Sequence, residues 1–129
     1  SRAAQEAYRM AGIGPDDVDL AEVHDCFAIA ELLAYEDLGF CEPGGAGKLV
    51  ADGVTAMDGR RPVNSSGGLI GKGHPIGATG TGQIYEAVNQ LRGRAREPDR
   101  QLTSPRYGLT HNVGGSGGSV AVHVLKAVA

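Results

Sequence analysis

The chain has 129 residues, 41% of them hydrophobic, and its 12 basic and 15 acidic side chains leave a formal charge of -3. That is enough apolar material for one domain with a core, and the charge balance excludes the basic footprint of a nucleic-acid reader. No apolar run is long enough to span a bilayer, the first residues lack the layout of a signal peptide, and Cys26 and Cys41 stand in unlike contexts, so neither a membrane nor secretion nor a disulfide framework is expected.

Ala4, Tyr8 and Ala11 recur at helical spacing from the first residues onward, so the chain opens inside a helix, which Gly12 caps and Pro15 stops. An opening within an element reads as a piece of a longer protein. Asp16, Asp17 and Asp19 follow as turn and cap residues. Residues 18–23 alternate apolar and acidic side chains, predicting a short strand into His24, and residues 27–38 predict a helix that Gly39 ends. The strand thus delivers His24, Asp25 and Cys26 to a strand-to-helix junction. Residues 41–62 read as a loop rich in Gly and Pro, and residues 62–66 as a brief strand running into Gly67 and Gly68. A further helix is predicted over residues 79–92, with Ile84, Val88 and Leu91 at helical spacing. Beyond a polar connection, residues 107–111 and 119–125 predict two strands able to pair as a hairpin. Helices alternating with strands predict an α/β fold, with helices layered on a mixed, mostly parallel sheet that has an antiparallel end.

Glycine is the compositional outlier, at 21 residues, against an average usage of about 7%. The glycines gather at 44–47, 67–82 and 114–118, where they serve either backbone passing close to a ligand or tight turns. The middle cluster holds Gly71-Lys72-Gly73-His74-Pro75-Ile76-Gly77 just before a predicted helix start. An imidazole there can act as a general base, or simply cap the helix. The spacing fits neither a phosphate-binding P-loop nor the dinucleotide fingerprint, whose third glycine would have to precede Gly77 by one residue. In His24-Asp25-Cys26-Phe27, a cysteine at a helix entrance can have its thiolate stabilised by the helix end, or be an inert buried thiol. If the strand continues, His24 and Cys26 share a face. Residues 110–118, Thr-His-Asn-Val-Gly-Gly-Ser-Gly-Gly, offer unobstructed backbone N–H groups of the kind an oxyanion hole requires, or a loose hairpin tip. His24, Cys26, Cys41 and His111 lack the pair spacing of a zinc site, so no metal is expected, and His123 reads as structural.

These segments, in this order, resemble the C-terminal half of the thiolase family, in particular the branch typified by the thiolase domain of sterol carrier protein X. His24-Asp25-Cys26-Phe27 stands where most thiolases have Asn-Glu-Ala-Phe, Gly73-His74-Pro75 matches their Gly-His-Pro loop, and Asn64-Ser65-Ser66-Gly67-Gly68 resembles the strand end before it. The resemblance covers residues 1–129, read as a thiolase C-terminal domain whose N-terminal half is absent. It implies Claisen chemistry on coenzyme A thioesters, which are substrates rather than resident cofactors: thiolysis of a 3-oxoacyl-CoA or the reverse condensation. It implies His74 as the base that activates a cysteine nucleophile supplied by the N-terminal half, His24 in the oxyanion hole, and Cys26 as proton shuttle at the α-carbon. His111 takes a supporting place where ordinary thiolases carry a Cys-x-Gly, Gly114 is the backbone donor of a second oxyanion hole, and Phe27 lines the pantetheine path. The resemblance further implies a missing strand in the middle of the sheet, with unpaired edges left behind, an N-terminal thiolase half and a second copy as partners, and a cytoplasmic location, peroxisomal in eukaryotic relatives. A different class of function stays open beside it: a non-catalytic thiolase-like module that binds an acyl-CoA or a partner protein.

Overall fold

Ser1 and Gly12 bracket the first helix in the structure, a computed structural model that describes residues 1–128. The Ser1 hydroxyl accepts from the Ala4 N–H at 3.5 Å, and Gly12, at φ 68°, turns left-handed so that its N–H reaches Tyr8 O. Helix α1 (Arg2–Ala11) runs between them. It buries Ala4 and Tyr8, and the Tyr8 hydroxyl donates to Leu38 O at 2.9 Å.

Strand β1 (Leu20–Val23) is buried at all four positions, the pattern of a strand covered on both faces. It starts two residues later than expected because Pro15–Asp17 form a 3₁₀ turn that Val18 caps. Helix α2 (Ala28–Asp37) follows, and Gly39, at φ 74°, lets the chain leave it. Residues 41–62 are not all loop: they contain helix α3 (Ala46–Ala51), obscured in the sequence by Gly45 and Gly47. The strand expected over residues 62–66 contracts to one bridge, Val63 beside Ala21, because Asn64 adopts φ 54° and cannot stay extended. A second short helix unforeseen in the sequence, α4 (Gly68–Lys72), precedes the His74 loop, and α5 (Thr79–Leu91) follows it. Strands β2 (Tyr107–Gly114) and β3 (Ser119–Lys126) form the expected hairpin.

The sheet has three strands in the order β1-β2-β3 and is mixed. β1 runs parallel to β2 with Leu20 opposite Gly108 and Val23 opposite His111, and β2 runs antiparallel to β3. The central strand implied by the resemblance leaves no gap, since among the described residues β1 and β2 pair directly. Unpaired amides and carbonyls between them would be costly, so the two backbones close on each other.

One sheet face, with Ala21, Val23 and Leu109, joins residues of α1, α2 and α3 in the apolar core. The other face meets α5, through Leu91 beside Gly108 but mainly through a row the sequence did not mark. Thr79, Gln83, Ala87 and Gln90 are buried, while Ile84, Val88 and Leu91 are only half-buried. Hydrogen bonding explains the difference, for Gln83 donates to His111 O and accepts from Asn112, and Gln90 accepts from Leu102 N and donates to Arg100 O.

Candidate active site

Because β1 and β2 are parallel with Val23 opposite His111, His24 and residues 111–113 emerge side by side at the carboxyl ends of the two strands. Open α/β sheets place ligands at such ends. Beyond Val23 the strand stops, and the Asp25 N–H donates back to Val23 O at 3.1 Å. The shared face expected from strand alternation is therefore achieved by a bend instead. His24 and Cys26 still line one cavity of about 190 Å³, together with Ala30, Leu33, Ala34, Asp37, His111 and Val113.

His24 is 8% exposed and His111 4% exposed, and the Nδ1 atom of each is buried without a hydrogen-bond partner among the described residues. Burial pushes the His24 pKa below the usual imidazole value, and the neighbouring His74 charge adds to the effect against the Asp25 carboxylate. Burial lowers His111 as well, opposed by Asp37 and assisted by His24.

His74 reaches the same place from the loop between α4 and α5. Its ring meets the His24 ring edge-on, with centroids 5.0 Å apart and planes at 86°. His74 Nδ1 lies 2.7 Å from Thr79 Oγ1, and that hydroxyl also donates to Pro75 O at 3.2 Å. When the hydroxyl proton goes to Pro75 O, Thr79 accepts from His74 Nδ1–H, the arrangement that leaves Nε2 as the basic nitrogen. Thr79 was not singled out in the sequence, although a hydroxyl at a helix start five residues after a candidate base is a legible sign.

Three further side chains fasten these segments together. Asp25, 2% exposed, accepts from the Leu69 N–H at 2.7 Å and the Ile70 N–H at 3.3 Å. Glu22 is fully buried and accepts from Ser65 Oγ at 3.1 Å, Ser66 N at 3.0 Å and Ser66 Oγ at 2.5 Å, with Lys72 Nζ at 3.7 Å. Burial raises its pKa, and the Ser66, Lys72 and Ser65 contacts oppose the rise. Asn64 Oδ1 accepts the Val23 N–H at 2.8 Å, and its amide donates to Glu31 at 3.2 Å, tying β1 to α2.

The structure thus brings His24, Cys26 and His111 together around one cavity, with His74 exposed and outside that lining, edge-on to the His24 ring. Phe27, the N-cap residue of α2, is 73% exposed and stands outside the cavity lining. Gly114 closes β2 opposite Ser119 and is likewise outside it. Cys41 lies elsewhere, half-buried against the core, with its thiol pushed up by burial and by Glu36 and Glu42. Among the described residues no group of three His, Cys, Asp or Glu side chains is arranged to hold a metal ion, and no helix is long and apolar enough to cross a membrane.

Comparison with known proteins adds a family. Residues 1–127 match the family model described as thiolase C-terminal domain-like. The chain is 54% identical over 124 residues to the acetyl-CoA acetyltransferase of Methanothermobacter thermautotrophicus, covering 96% of this chain and 32% of that protein. It is 48% identical over 118 residues to sterol carrier protein 2 of Rattus norvegicus, covering 92% of this chain and 21% of that one. A solved structure described as an Ltp2-ChsH2(DUF35) aldolase superposes with a TM-score of 0.86 at 30% identity, over 98% of this chain and 31% of the other. The chain therefore spans between about a fifth and a third of the length of these relatives.

Proposed function

The chain belongs to the thiolase family as a C-terminal domain, and from that premise we propose that it forms part of an acyltransferase acting on coenzyme A thioesters, by thiolysis of a 3-oxoacyl-CoA or the reverse Claisen condensation. The observation that supports this reading is that His24, Cys26 and His111 line one cavity with His74 edge-on to His24, and that two of these buried ring nitrogens have no partner among the described residues.

In the thiolytic direction a cysteine of the N-terminal half gives its proton to His74 Nε2 and attacks the 3-carbonyl. The bond between C2 and C3 breaks, its electron pair passes into the enolate of the departing thioester, and Cys26 supplies the proton to the α-carbon. Free coenzyme A then takes the acyl group from the enzyme. His24 donates a hydrogen bond to the enolate oxygen, and its lowered pKa keeps it neutral, so that it stabilises the developing charge without protonating it outright. His111 supports Cys26 and His24 across the cavity, Gly114 N–H serves the second oxyanion, and Phe27 flanks the pantetheine. The N-terminal half and a second copy of the enzyme are the partners this reading requires.

A second reading has its own support. The aldolase neighbour is 30% identical, and the final glycine loop here carries His111-Asn112-Val113-Gly114 without a cysteine. Retro-aldol cleavage shares the enolate but needs neither an acylated cysteine nor free coenzyme A.

The test is cleavage of a short 3-oxoacyl-CoA by the chain alone and joined to its N-terminal half. Turnover is expected only in the joined form and only with free coenzyme A. His74→Ala should lower enzyme acylation by about 10²–10⁴-fold, and Cys26→Ala should spare acylation while blocking α-proton exchange. Equal loss of both steps in Cys26→Ala would sink that division of roles. Cleavage of a 3-hydroxyacyl thioester without coenzyme A would favour the aldol reading, and binding without turnover the non-catalytic module.

A further inference from the structure

Two buried carboxylates of neighbouring residues, Glu22 on β1 and Asp25 just beyond it, take all their hydrogen bonds among the described residues from one segment, residues 65–70. Glu22 holds its beginning, and Asp25 holds the first turn of α4, whose free N–H groups a carboxylate satisfies well. From α4 the chain passes through Gly73 directly to His74. His74 itself is exposed, and its one hydrogen-bonded neighbour among the described residues, Thr79, is the buried first residue of α5, so the loop is fixed at α5 on one side and at α4 on the other. Residues 70–78 are exposed throughout, so besides the buried Gly68 and Leu69 and the Lys72–Glu22 ion pair little else seats this segment against β1.

Gly68 carries an independent sign of the same contact. At φ 62° it already disfavours a side chain, and a Cβ built there would overlap the Asp25 carboxylate. The backbone at 68 has come as close to Asp25 as only glycine permits.

We infer that Asp25 is a positioning residue: its grip on Leu69 and Ile70 sets the edge-on placement of His74 against His24, and so couples the activating base to the oxyanion donor. Asp25 touches no reacting atom in this arrangement. It lies in sequence between His24 and Cys26, so one strand end carries the oxyanion donor, the proton shuttle and the anchor of the base. The kinetic side of this inference rests on the function proposed above, whereas its geometric side does not.

The two sides call for two measurements. In the 129-residue chain with its histidines isotopically labelled, the nuclear Overhauser contact between the His24 and His74 rings should be present in the wild type, lost in Asp25→Ala and weakened in Asp25→Asn, which keeps one acceptor oxygen. Gly68→Ala should lose it too, and should add little to Asp25→Ala, because both act on one contact. In the chain joined to its N-terminal half, Asp25→Ala should lower kcat by about 10²-fold, the scale of a misplaced catalytic group, while KM stays nearly constant. A merely structural role would lower the melting temperature and leave kcat per folded molecule unchanged. A ring contact that survives in Asp25→Ala, or in Asp25→Asn and Gly68→Ala if the alanine variant fails to fold, overturns the inference. If the wild-type joined protein has no turnover, the proposed function fails, and the ring contact still decides the role of Asp25.

Discussion

His24 and His111 sit in the protein as neutral rings, both pushed by burial below their ordinary pKa. The unfolded chain therefore binds their protons more readily than the folded one, and stability rises with pH across that window. The contribution is complete above the unfolded value of about 6.5 and is lost as the pH falls below it. We expect the melting temperature to drop on acidification from about pH 7 to about pH 5, the range over which imidazoles charge, and His111→Gln to flatten that slope. Glu22, raised by burial, works in the opposite direction, so the difference between wild type and variant isolates the imidazole. Calorimetric melting across that range checks this, and an identical slope in His111→Gln would move the acid sensitivity elsewhere. At this scale His74 and Cys26 were conspicuous in the sequence, because they stand in short motifs with glycines and a helix start. Thr79 left a local sign, whereas the roles of Asp25 and Glu22 were hidden because they depend on partners up to 45 residues away.

Between elements, Arg61 shows how a loop can be held from inside. Its side chain is 1% exposed, donates to Val18 O at 3.2 Å and Pro15 O at 2.8 Å, pairs with Asp16 at 3.3 Å and lies 4.4 Å over the Phe40 ring. Arg61→Ala strands two carbonyls and opens a cavity, for an expected loss of about 2–4 kcal/mol in urea unfolding. Arg61→Lys should recover little, since an ammonium cannot span the same acceptors while stacking on an aromatic ring. Recovery to the wild-type midpoint by lysine would mean that charge alone matters. The sequence located α1, α2, α5 and the hairpin through periodicity and glycine caps. It missed α3 and α4 because five- and six-residue helices containing glycine have no period to read, and it misread the buried side of α5 because Gln83 and Gln90 are buried by hydrogen bonds that no hydropathy pattern reports.

Over the whole molecule, several large apolar side chains are left in water: Phe27, Ile29 and Leu33 at α2, Ile70 and Ile76 around His74, and, elsewhere, Met10, Tyr85 and Val128, each more than half exposed. Exposed apolar area on this scale favours association. The chain alone should self-associate in a concentration-dependent way, and an added N-terminal half should replace that association with a defined complex, both read by sedimentation velocity. A monomer at every concentration that also ignores the N-terminal half would contradict this. By itself the sequence determined the α/β alternation and the family resemblance, because glycine conformation, strand alternation and short motifs are local. Only the tertiary structure decided that β1 and β2 pair directly, that His24 and His111 are buried with unpartnered nitrogens, and that Asp25 reaches across to α4. Those are consequences of parallel register and burial, which arise between segments distant in the chain.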